Sequence, residues 1–206
     1  RIPVNKENVL KSGIVKPEDA DKIVDYIDIT LPGAIDKARI VMLDILANND
    51  WKRPIYFTGG SMDSAEYLWM KDYLQLDGLV YKLVPIKTPI DKNNPYDMGR
   101  IDSELMYNIV KRWTWGNMGK EGIYLDPETR KNSIIFRGNL ARLTEQLIAE
   151  GKTAKASEII DIAMKNMPID AYGYYFTLDP FIEGSYKVGK REQARAIALQ
   201  VIKKYQ

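Results

Sequence analysis

Three groups of residues in this chain have the types and spacing for recognition chemistry. Gly59-Gly60-Ser61 follows a β-prone run and precedes helical periodicity, where a strand-to-helix turn can offer backbone N–H groups to a phosphate or carboxylate. Glycine pairs at such turns more often serve geometry alone. Trp113, Trp115 and Tyr124, with Asn117 between them, have the make-up of a stacking platform for a sugar or an acceptor peptide; because aromatics bury large area, such rings more often serve core or interdomain packing. Tyr172, Tyr174, Tyr175 and Phe176 fall in a connection between helical segments, either as a cover over an open core or as a protein-interaction patch. Asp19-Ala20-Asp21 has the spacing with which two carboxylates can hold a metal, but its place in a helix's first turn points to capping. Lys52 and Arg53 lie at the opposite end of the Pro54 to Thr58 run from the glycines and cannot serve the same anion. They read as a solvated pair or a surface salt bridge of little worth.

Composition narrows the chemistry further. The 206 residues contain no cysteine and no histidine. Disulfides, thiolate nucleophiles, zinc-thiolate sites, His-ligated metals and the Ser-His-Asp and Cys-His triads are therefore excluded. Catalysis here would run on Asp, Glu, Lys, Tyr or Ser; no metal and no cofactor is expected. A net charge of +2 without a long basic run gives no footprint for nucleic acid. No stretch approaches the ~20 apolar residues of a membrane-spanning helix. A first residue of Arg1 and the lack of a signal peptide suggest a segment of a longer protein.

The elements that position these residues follow from periodicity. Lys16-Pro17-Glu18-Asp19 starts a helix, with proline in its first turn and acids at the positive end of the dipole. Asp28 to Leu31 alternates as a strand and stops at Pro32-Gly33. Ile35, Ala38, Met42, Ile45 and Leu46 mark a helix by their spacing. Pro54 to Thr58 then reads as a central strand, with Ile55 and Phe57 on one face and Tyr56 on the other. Asp63 and Glu66 have capping-box spacing for a helix carrying Leu68, Trp69 and Tyr73. Leu79 to Val84 is a second strand, and the helix–strand–helix–strand order predicts a right-handed crossover with a parallel pair. Thr88 to Gly99 is a loop by composition, and a helix runs from Asp102 to Trp113 with Leu105, Met106, Ile109 and Val110 inward.

The last part of the chain repeats. Leu140 and Leu143, Gly151-Lys152, and Ala156, Ile159, Ile160, Ala163 and Met164 recur 38 positions later as Leu178 and Phe181, Gly189-Lys190, and Ala194, Ile197, Ala198, Val201 and Ile202. Together with Leu147 and Pro168 these residues resemble tetratricopeptide repeats. The departures are a period longer than the usual ~34 and Thr144 where a small residue is usual. Two such hairpins cannot close a solenoid core, because roughly three are needed. They must pack on the preceding domain or on a partner.

A second resemblance covers the whole chain. Leu43 to Asn49, Trp51-Lys52-Arg53-Pro54-Ile55-Tyr56-Phe57, Asp72 to Leu76, Gly78 to Ile86 and Trp115-Gly116-Asn117-Met118 resemble a bacterial membrane-protein family, domain of unknown function 2723, related to protein O-mannosyltransferases. The resemblance implies a C-terminal soluble region on the periplasmic face of the inner membrane. It also implies that the catalytic acid lies in an N-terminal membrane half outside this chain, so no catalytic residue is carried over here. Asp63-Ser64-Ala65 also resembles the short acceptor motif of periplasmic O-glycosylation in such bacteria. The expected fold is α+β: a domain over residues 1–136 with a small, partly parallel sheet and flanking helices, then two tetratricopeptide-like hairpins over 137–206 packed on it. The expected role is a non-catalytic accessory domain of a lipid-phosphate-sugar-dependent glycosyltransferase. Its partners would be its own membrane domain and an acceptor protein or glycan, with no nucleic acid and no membrane-spanning segment of its own. The alternative is a repeat-based interaction or assembly module that binds no glycan.

Overall fold

The computed structural model describes residues 1–30, 33–58, 69–89 and 98–205. The chain is α+β and divides into two compact units, residues 1–100 and 101–206.

In the first unit, β1 (Ile2–Pro3) pairs antiparallel with β2 (Tyr26–Ile27). The second strand thus lies just before Asp28, the residue at which alternation placed it. Between them α1 (Lys6–Lys11) starts at Asn5, whose side chain accepts from the Asn8 N–H. Pro17–Lys22 forms a 3-10 turn in place of an α-helix. Helix α2 (Lys37–Asn49) is capped by Asp36, which accepts from the Arg39 N–H. Of its expected inward face, Leu46 is buried and Met42 packs on the core, while Ile35 and Ile45 are exposed beside Ile40 and Val41. Asp50 and Trp51 end this helix with two successive left-handed residues, at φ 46 and 58. Such backbone costs ~1–3 kcal/mol per non-glycine residue. It persists because Asn8 donates to the Asp50 carbonyl and carboxylate, and because the Trp51 indole is buried with Nε1 donating to the Pro3 carbonyl at 2.9 Å.

A three-stranded sheet follows, from β3 (Tyr56–Thr58), β4 (Leu74–Asp77) and β5 (Val80–Leu83), in the order β3-β5-β4. Both pairings are antiparallel, which overturns the expected parallel pair and the crossover. The reason is the unforeseen strand β4. It joins β5 through a two-residue loop whose first residue, Gly78, has φ 74, the position that type II′ hairpin turns give to glycine. Strand β5 therefore turns back on itself, and β3 is an edge strand, not the central one. The helix expected to reach Tyr73 does not: Lys71–Tyr73 is a 3-10 turn, and residues 59–68 lie outside the described residues. One parallel contact among the described residues, the Gln75–Arg100 bridge, covers the outer edge of β4. Gly99, at φ 78, makes it possible, because a Cβ there would stand 2.9 Å from the Leu74 carbonyl oxygen.

Alternation gives the sheet two unlike faces. Phe57, Leu74 and Leu83 join Val9, Ile27, Leu46, Trp51 and Met70 in the core. On the other face Gln75, Asp77 and Lys82 are also buried; Lys82 Nζ stands 3.2 Å from Asp77, and Gln75 Nε2 donates to it at 2.8 Å.

The second unit is helical. Helix α3 (Ser103–Lys111), N-capped by Asp102, ends two residues short of Trp113; Met106 and Val110 are buried and Leu105 is exposed. It packs on α4 (Pro127–Ala149), which pairs with α5 (Thr153–Asn166). After the short α6 (Ile169–Tyr172) come α7 (Asp179–Lys187) and α8 (Arg191–Tyr205), a second hairpin, with α7 against both α4 and α5. The 38-residue repeat is present in backbone detail. Helices α4 and α7 both close in a Schellman motif, with left-handed Gly151 and Gly189, Lys152 N–H donating to the Leu147 carbonyl, and Lys190 N–H to that of Ser185, each at 2.8 Å. Leu140, Leu143, Leu178 and Phe181 are fully buried. No helix among the described residues is long and apolar enough to cross a membrane.

Asp19 supplies a test of the first unit. Burial alone pushes its carboxyl up, but Lys22 at 2.5 Å and Arg100 at 2.7 Å outweigh that and hold it at about 2 instead of 3.8. The folded value is the lower one, so the resulting ~2 kcal/mol is fully present above about pH 4 and is lost as pH falls toward 2. Urea unfolding followed from pH 5 to pH 2 is expected to show this loss, and Asp19→Asn to remove that part of the slope.

Candidate functional site

Two adjacent residues of α4, Phe136 and Arg137, organise the aromatic groups of the second unit. The segment after α3 is shaped by left-handed glycines at 116, 119 and 122. Gly119 lies so close to the end of α5 that an added Cβ would stand 2.4 Å from the Lys165 carbonyl oxygen. This pins the segment and sets its indoles on α4. Trp113 and Trp115 meet edge to face at 5.4 Å, and Phe136 meets them at 5.6 and 5.9 Å. Both indoles are partly buried and Asn117 is exposed. Tyr124 is 85% exposed and makes no ring contact among the described residues, so the fold joins the two tryptophans and leaves Tyr124 apart. Gly59, Gly60 and Ser61, like Asp63-Ser64-Ala65, lie outside the described residues.

Arg137 is fully buried and faces the connection between the hairpins. It donates to the Gly173 carbonyl at 2.6 Å, the Met167 carbonyl at 2.8 Å and Thr177 Oγ1 at 3.3 Å, with the Tyr172 ring 6.0 Å away. Burial pulls the guanidinium down to about 10, against a smaller opposing effect of the Tyr172 and Tyr175 phenols; it stays charged at neutral pH. The four aromatics of this connection take three different positions. Tyr172 is core, and burial raises its phenol. Tyr174 is left-handed at φ 50 and meets Phe176 edge to face at 6.3 Å, while Tyr175 meets Tyr205 at 6.1 Å. Phe176 is exposed. Neither Phe136 nor Arg137 stood out in the sequence; an arginine within an apolar helical face is the signal that marks the second.

One cluster among the described residues has the side-chain types of a catalytic site, and it is engaged in structural pairs. Ser103 Oγ donates to Glu150 at 2.5 Å and accepts from Lys152 at 2.9 Å, the contacts of a serine–lysine dyad. A dyad needs a neutral amine. Here the hydrogen bonds that Lys152 donates to Glu104 and Glu150 raise it above its ordinary value. Burial pushes Glu150 up, yet Lys152, Ser103 and Gln146 outweigh this and hold it at about 2. With Lys155 on Glu104, and Tyr107 and Lys111 on Glu158, these residues strap α3 to the first hairpin. Asp19 lies in the first turn, where the sequence reading put it, but its carboxylate is taken by Lys22 and Arg100 in place of a backbone cap, and Asp21 is exposed. Among the described residues no cluster of three or more acidic groups is placed to hold a metal.

The Arg137 clamp carries a prediction. Arg137→Met leaves two buried carbonyls without their donor and is expected to cost ~3 kcal/mol or more in thermal or urea unfolding of the second unit. Arg137→Lys recovers only part, since an ammonium cannot span acceptors on both sides of the connection. A loss under ~1 kcal/mol for the methionine variant contradicts the clamp.

Comparison with known proteins gives one family. Residues 1–105 match the model of TMEM260-associated domain 2, and neither domain of unknown function 2723 nor the tetratricopeptide repeat is matched. No curated protein and no solved structure matches the chain. The matched segment takes in the whole first unit and just over half of the 206 residues, so the chain belongs to the TMEM260-associated domain 2 family.

Proposed function

We propose that this chain is a non-catalytic accessory domain of a membrane-embedded, lipid-phosphate-sugar-dependent glycosyltransferase of the O-mannosyltransferase-related kind. In this reading it stands on the periplasmic face of a bacterial inner membrane, beside its own N-terminal membrane domain, and positions acceptor protein or glycan. Family membership supports the accessory role. The observation that carries the recognition role is the Trp113–Trp115 pair backed by Phe136: two indoles held together at fixed geometry by residues that are only partly buried.

The second reading, a tetratricopeptide-like interaction module without glycan binding, is favoured by a different observation. Two hairpins close in the same Schellman turn 38 residues apart, and the first helix of the second lies against both helices of the first. That is how helical repeats stack.

Titration of the 206-residue chain with mannose oligosaccharides, and separately with an extended Ser/Thr-rich peptide, separates the two. The accessory reading expects the indole N–H resonances of Trp113 and Trp115 to shift with sugar, and Trp115→Ala to weaken binding about tenfold, or ~1.4 kcal/mol. Binding of polypeptide alone supports the interaction module. Glycosyl transfer by the chain on its own contradicts both.

A further inference from the structure

The two edges of the three-stranded sheet are not alike. In the β3–β5 register Tyr56 faces Lys82, Phe57 faces Tyr81 and Thr58 faces Val80, and the Leu83 N–H donates to the Ile55 carbonyl at 2.9 Å. Antiparallel ladders alternate, so Phe57 bonds to β5 as Ile55 does, and the N–H and C=O groups of Tyr56 and Thr58 point away from it. On β4 the corresponding outward groups are taken. The Leu76 N–H donates to the Arg100 carbonyl and the Arg100 N–H to that of Leu74, each at 2.9 Å, so the chain itself adds an extended segment to that edge. On β3 the outward groups carry no hydrogen bond among the described residues, and both Tyr56 and Thr58 are exposed. Open edges are commonly blunted by proline, lysine or a bulge. Tyr56–Thr58 contains none of these, and Pro54, the next outward position, ends the open stretch because its nitrogen carries no proton.

We propose that β3 accepts an extended segment of a separate polypeptide as a fourth strand of this sheet. The edge defines its occupant. Donor and acceptor recur at every second residue along one line, which an extended backbone matches and a helix, a sugar or a lipid head group does not. The pleat then assigns the side chains of the added strand. Residues paired with Tyr56 and Thr58 fall on the face that holds Lys82 and Gln75 and suit hydroxyls; the residue between them falls beside Phe57 on the core face and suits a β-branched aliphatic. A second copy of the chain fits less well. An edge of three residues is about 10 Å long, short of what burying roughly 800 Å² per partner requires, whereas a flexible segment needs only the edge. The inference rests on the parity of the ladder, not on the glycosyltransferase reading, and holds or fails without it.

The test uses the 206-residue chain labelled with nitrogen-15 and a lysine-flanked Thr-Val-Thr-Val-Thr peptide as the probe. In the chain alone the amides of Tyr56 and Thr58 are expected to exchange roughly a hundredfold faster than that of Phe57. Peptide should slow that exchange and shift resonances of β3 and the facing part of β5, saturating below millimolar. Methylating the peptide's threonine nitrogens, which face β3, should weaken binding about tenfold or more, and methylating its valine nitrogens should not. Thr58→Pro removes one outward donor and no ladder bond, so it should weaken binding to a similar extent at an unchanged melting temperature. No shift at millimolar peptide, shifts elsewhere, or equal loss with both methylated peptides overturns the proposal. Slow exchange of Tyr56 and Thr58 in the chain alone shows that the chain covers its own edge and overturns it too. Self-association that Thr58→Pro abolishes, read by sedimentation equilibrium, makes a second copy the occupant and overturns it equally.

Discussion

A buried guanidinium fixes the architecture of the helical unit. A charge removed from water costs several kcal/mol unless its surroundings replace the lost hydration. For Arg137 the replacement is backbone: the carbonyls of Met167 and Gly173 on the two sides of α6, with Thr177 Oγ1 and the Tyr172 ring beside them, while Nε keeps no hydrogen-bond partner among the described residues. Those carbonyls reach one guanidinium only if the chain between the hairpins folds over it, through α6, the left-handed pair Gly173–Tyr174 and the 3-10 turn Tyr175–Thr177. The residues between the two hairpins, 167–178, are the ones this fold-over uses. Arg137 thus couples an interior charge to the spacing of the stack.

The first unit depends on long-range polar ties of the same character. Asp19 and Arg100 are 81 residues apart and meet at 2.7 Å, joining the 3-10 turn near the N-terminus to the segment that covers the edge of β4. Asp50 and Trp51 hold strained backbone because α1 and β1 supply the hydrogen bonds. Asp19 is buried, so removing both of its cations would leave an uncompensated carboxylate, whereas the Asn8–Asp50 bonds lie at the surface and act by holding the turn.

Local signals in the sequence served the helices of the second unit better than the sheet. Apolar spacing located α3 and the later part of α4, and glycines the 151 and 189 turns, because each signal acts within a turn or two, while the start of α4 at Asp126-Pro127 was not read. The α+β class and the repeat followed from them. The sheet depended on a pairing between Leu74–Asp77 and Val80–Leu83 that a four-residue alternation barely marks; once Gly78 is read as a stop instead of a hairpin turn, strand direction inverts. Ile35 and Ile45 share helical spacing with Leu46, and spacing alone does not say which side of α2 meets the core. At the candidate site, Trp113 and Trp115 were evident from type and proximity, while Phe136 was not, because it is brought to them only by tertiary packing.

The central claim is that the connection between the hairpins is part of the cooperative core through Arg137 and is not a surface loop. Native-state hydrogen exchange tests it directly. The amides of Tyr172, Gly173, Thr177 and Leu178, bonded to the carbonyls of Pro168, Ile169, Tyr174 and Tyr175, are predicted to exchange with the same opening free energy as the buried stretch Leu140 to Leu147 of α4. Exchange of these four amides through a much cheaper local opening, with α4 and α5 still protected, would contradict the account.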